Sequence, residues 1–136
     1  MACVYREIHF DAPAEFVWDA VRDVGAVHSK LVPGVVLETE LEAGARTVKF
    51  ANGMVVRELN VDVSEELKRV SYASVGGRAS HHNASMQVFE ESPSGCRVVW
   101  VTDVLPNELA APISSMVELG AQAMKKTREG RWNSRR

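Results

Sequence analysis

Few side chains in this 136-residue chain are placed to do acid–base or ligand chemistry, and most sit in stretches that read as β-strand. His81-His82 is the most reactive pair. Neighbours on a strand point to opposite faces, so the two imidazoles do not converge on one metal. His82 is in phase with Ala84, Met86 and Val88 and is expected to point inward. There it is either a core or rim histidine, or a group that bonds a ligand carbonyl or acts as a base near neutral pH. Arg46, Arg57 and Glu58 form a second set. Counted out from Asn52-Gly53, Arg46 and Glu58 lie nearly opposite each other. That suits a cross-strand ion pair, with a catalytic carboxylate as the alternative. Arg57, in phase with Leu59 and Val61, is either buried with a partner or escapes to a rim. Tyr72 and Trp100 carry polar tips that need partners when buried, or that can orient a polar group on a ligand. Asp103 lies out of phase with Trp100 and Thr102 and reads as structural. No Ser-His-Asp order, phosphate-cradling glycine loop, dinucleotide fingerprint or zinc spacing is present, and no cofactor is expected.

The elements that must position these groups follow from periodicity. Val4, Ile8 and Phe10 alternate as a half-buried strand that Asp11-Ala12-Pro13 ends. Phe16, Val17, Ala20 and Val21 recur at helical spacing over 13–23, and a second short helix is expected over 24–31. After Pro33-Gly34, strands are expected over 35–41, 46–51, 54–63, 67–75, 82–90 and 96–105. Asn52-Gly53 is the strongest hairpin signal, because a two-residue turn there needs positive φ at both positions. Leu59, Val61 and Val63 read as the inward face of the strand that follows. Asn107 is a candidate cap for a long helix striped by Leu109, Ile113, Met116, Val117, Gly120 and Met124. Pro112 belongs in its first turn and Gly130 near its end, leaving 131–136 as a frayed tail.

Composition agrees with one globular domain over 1–136. Apolar residues make up 46% and charged residues 25%. A net charge of −2 argues against a general nucleic-acid binder. The basic residues clustered from Lys125 to Arg136 read as a solvated helix end suited to the helix dipole. Cys3 and Cys96 lack CxxC spacing and are expected to be free thiols. No signal peptide or membrane span is legible, and a cytoplasmic location is expected.

Strand, two short helices, six hairpin-linked strands and one long helix define an α+β fold. A seven-stranded sheet curls, and a long helix gripped by it leaves a gap. The order resembles the Bet v 1-like helix-grip superfamily, which includes START domains, and within it the polyketide cyclase/dehydrase-like SRPBCC proteins. The resemblance spans about Val4 to Thr127. It rests on Ile8-x-Phe10-x-Ala12-Pro13-x-x-x-Val17-Trp18, on Arg46-x-Val48…Gly53…Val56-x-Glu58, on Tyr72, and on Trp100-x-x-Asp103-x-x-Pro106. It implies a cavity between sheet and helix for a lipid, polyketide or other hydrophobic compound; it transfers no catalytic residues. The expected lining is His82, Tyr72, Trp100, Phe50, Leu59, Met86, Met116, Val117, Gly120 and Met124. Methionines adapt to varied shapes and Gly120 removes volume, which suits a cavity. The functions this leaves are a carrier or sensor of a small hydrophobic molecule, a cyclase- or dehydratase-type enzyme, and a homodimeric interaction protein pairing through Val99 and Val101.

Overall fold

The computed structural model describes residues 1–135. Seven strands form one antiparallel sheet: β1 (Ala2–Phe10), β2 (Val36–Glu42), β3 (Ala45–Phe50), β4 (Val55–Ser64), β5 (Arg69–Val75), β6 (His81–Ser92) and β7 (Gly95–Leu105). Their spatial order is β1-β7-β6-β5-β4-β3-β2. Every neighbour but β1–β7 is a sequential hairpin, so the pattern of short alternating stretches separated by turn residues translates directly into the sheet.

Helix α1 (Ala14–Val21) starts at the expected proline. Pro13 is extended, and its carbonyl accepts from the amides of Phe16 and Val17. The helix buries Ala14, Val17, Trp18, Ala20 and Val21. At its far end the Trp18 indole donates to Glu65 in the β4–β5 turn at 2.8 Å, and Arg22 bonds the same carboxylate at 2.6 Å. The second short helix is a π-helical turn over Val27–Leu31.

A 3-10 turn over Asn107–Leu109 leads into α2 (Ala110–Asn133). Asn107 makes no side-chain cap bond; it is the first residue of that turn. Pro112 lies in the first turn of α2, where its missing N–H costs nothing. Gly130 does not end the helix, and 131–136 is not a frayed tail as far as it is described. The helix continues through Asn133, where Trp132 packs tilted against Phe16 of α1, ring centroids 5.1 Å apart. Arg136 lies outside the described residues.

The β3–β4 turn differs from the expected two-residue form. Only Gly53 takes a positive φ, at 90°. The Gly53 amide bonds the Phe50 carbonyl, and the Asn52 side chain accepts from the Met54 amide. A turn centred on Asn52-Gly53 would pair Arg46 with Leu59. The longer loop pairs Arg46 with Glu58 instead. A one-residue slip exchanges the faces of a strand. Glu58 and Val56 therefore face inward, and Leu59 stands on the outer face with Arg57. A bulge between Asn60 and Asp62 then breaks the phase again, so Leu59, Val61 and Val63 share no face.

The interior has two halves. Around α1 it is closely packed, with Ile8, Phe10, Val17, Val98 and Met124 almost fully buried. Toward the first half of α2, the curled sheet and the helix stand apart.

Candidate functional site

Between the β3–β4 turn, the β5–β6 loop and the first half of α2 lies a cavity of about 500 Å³, partly open to solvent. Its walls are largely apolar: Val48, Phe50, Val56, Met86, Met116 and Val117, with Met54, Val75 and Leu119 at the mouth. The volume lies within the usual range for small-molecule sites.

One wall is polar. Arg46 Nε donates to Glu58 Oε1 at 2.8 Å with both side chains buried. Arg46 also donates to the Val24 carbonyl at 3.1 Å, and the Ser74 hydroxyl reaches Glu58 Oε2 at 3.4 Å. The Arg46 guanidinium lies 5.0 Å from the centroid of the Tyr72 ring. The Tyr72 hydroxyl in turn accepts from Trp100 Nε1 at 3.2 Å. Burial, reinforced by the Glu58 carboxylate, pushes the Tyr72 phenol well above its ordinary range. His82 stands on the same wall, half-buried. Burial depresses its pKa; Glu58 opposes that shift and His81 adds to it.

Eight of the ten expected lining residues border this cavity: His82, Tyr72, Trp100, Phe50, Met86, Met116, Val117 and Gly120. Two do not. Leu59 is on the outer face for the register reason given above. Met124 is fully buried in the packed half, about one turn of α2 beyond Gly120 and past the end of the gap. Sequence reasoning placed Arg46 and Glu58 nearly opposite but not in the cavity; counting from a two-residue turn misses their pairing by one residue, which the longer loop supplies. It missed Arg78 and Ser74 altogether, which no motif marks. Arg57 escapes outward and bonds Glu42 at 3.0 Å. Asp103 sits beside Cys3 and raises that thiol's pKa, after burial. Both cysteines are free. Among the described residues no group of three or more His, Cys, Asp or Glu could hold a metal ion, and no helix is long and apolar enough to cross a membrane.

Residues 1–131 match the family model described as polyketide cyclase / dehydrase and lipid transport. The chain belongs to this family. Solved structures share its helix-grip architecture. Norcoclaurine synthase from Thalictrum flavum, solved as a point mutant with a transition-state analogue, superposes with a TM-score of 0.74 at 18% identity. The match covers 96% of this chain and 95% of that one. A protein from Thermobifida fusca superposes at 0.78 with 24% identity, covering 98% and 95%. The di-domain ARO/CYC BexL from the BE-7585A biosynthetic pathway superposes at 0.80 with 14% identity; 95% of this chain is covered but only 47% of BexL. At these identities the likeness establishes the fold alone. No curated protein sequence matches the chain.

Proposed function

We propose that this protein binds a small, mostly apolar molecule in the cavity between sheet and α2, as a carrier or sensor. The observation that carries the reading is the pairing of about 500 Å³ of apolar-walled space with one polar wall. Apolar walls supply affinity by burying ligand surface, and a few fixed polar groups supply orientation. A core meant only for stability would close such a space, because voids forfeit packing energy. The family's name includes lipid transport, which agrees with a bound apolar cargo.

A specific observation favours a second reading, a cyclase- or dehydratase-type enzyme. The register places Glu58 on the wall that holds His82, so a base and a carboxylate face one space, with the Tyr72 phenol kept protonated beside them. Proton transfer needs such a pairing.

Native mass spectrometry of the protein purified from its own host tests the first reading. A co-purified small molecule of a size the cavity admits is expected. A protein that carries nothing and binds no apolar probe in titration would sink it. His82→Ala separates the two readings. Unchanged ligand affinity with lost turnover of that ligand establishes the enzyme; a wild-type protein that returns the ligand unaltered establishes the carrier or sensor.

A further inference from the structure

Gly120 of α2 faces the Trp100 indole. A Cβ at Gly120 would stand 3.0 Å from both Cη2 and Cζ3 of that ring. That is tighter than nearly all real Cβ contacts, and the ring would have to give by a few tenths of an ångström, so the bare helix backbone is what lets the indole lie this close. Held there, Trp100 Nε1 donates to the Tyr72 hydroxyl at 3.2 Å.

This contact has a fixed polarity. An indole nitrogen only donates, so the phenol oxygen is the acceptor and its own proton is unspent. Trp100 is the one hydrogen-bond partner that hydroxyl has among the described residues. The proton therefore needs an acceptor from whatever fills the cavity that both rings border. An unsatisfied donor in a buried site costs more than a made bond gains, so the mismatch falls on ligands that lack an acceptor. The Arg46 charge is already matched by Glu58, whereas Arg78, which also lines the cavity, is in no ion pair among the described residues, so the phenol's preference concerns an acceptor and not a charge.

We infer that the cavity selects apolar ligands ending in a hydrogen-bond acceptor, such as a ketone or ether oxygen, which Tyr72 recognises while Trp100 and Gly120 act as positioning residues. The inference rests on the ligand-binding reading above and names the ligand class for that same site.

Calorimetric titration with two naphthalenes of one shape tests it: 2-acetylnaphthalene and 2-isopropenylnaphthalene. The wild-type protein is expected to bind the ketone about fivefold more tightly than the isosteric alkene, the size of one ordinary hydrogen bond. Tyr72→Phe should remove the ketone-over-alkene preference while alkene affinity stays within about twofold. Trp100→Phe and Gly120→Ala should shrink the same ratio, a selectivity readout that simple loss of stability does not move. If Gly120→Ala does not fold, Trp100→Phe alone decides the positioning claim. Equal affinity for ketone and alkene in the wild type, or a preference that survives Tyr72→Phe, overturns the inference while leaving the cavity a ligand site. If neither probe binds, both are overturned.

Discussion

Arg46 and Glu58 stand directly opposite each other on β3 and β4, Nε to Oε1 at 2.8 Å, with side-chain exposures of 7% and 9%. Two charges this buried are held by each other more than by solvent. Glu58→Gln should leave the guanidinium without its counter-charge and cost about 3–5 kcal/mol in urea unfolding. The double variant Arg46→Met/Glu58→Leu should recover most of that loss, since desolvation of both ions disappears together. A double variant as unstable as the single one would show that the pair's hydrogen bonds to Val24 and Ser74 matter more than its charge.

His82 gives the protein a pH signature. Burial favours the neutral imidazole in the folded state, with His81 adding and Glu58 opposing. The unfolded chain takes up a proton first as pH falls, near the ordinary value of about 6.5. Stability is thus expected to drop from there down to the lower folded pKa and to level off below it. A proton NMR titration of His82 should show a midpoint below the ordinary value. His82→Gln should flatten the corresponding limb of the stability curve.

The two halves of the interior should respond differently to the same chemical change. Met124→Ala, at a fully buried position in the packed half, should cost about 2–5 kcal/mol. Met116→Ala, on the half-open cavity wall, should cost about 1 kcal/mol or less and instead alter affinity for apolar probes. Parallel denaturant melts and probe titrations of both variants check this.

The last turn of α2 is anchored by Trp132 against Phe16. Ending the chain after Gly130 should lower stability by about 2 kcal/mol, the worth of one buried aromatic contact. Amide hydrogen exchange should show protection through residue 132 in the full chain. An unchanged melting temperature on truncation would argue for a loose end.

Much of this architecture was legible because each signal was local. Alternation marked β1, β3, β6 and β7; Ala12-Pro13 marked the entry to α1; the Leu109–Met124 stripe marked α2. Where two distant elements decide, the sequence was silent. Trp132 looked like tail until Phe16 met it across the helices. Leu59-x-Val61-x-Val63 is a clean apolar alternation, yet pairing with β3 and the bulge at β5 overrode it. The depth of the gap along α2 is likewise a property of sheet curvature, which is why Met124 read as lining when it lies past the cavity's end.

The register of β4 hangs on a surface turn whose one unusual backbone angle is at Gly53. Closing it instead on the two residues Asn52-Gly53 would bring Leu59 into line with Arg46 and turn Glu58 outward. An acidic wall would become a greasy one without any substitution inside the protein. The way the turn closes is thus a heritable dial on interior polarity. Relatives with the same fold whose turn closes one residue tighter would be built for cargoes of a different character.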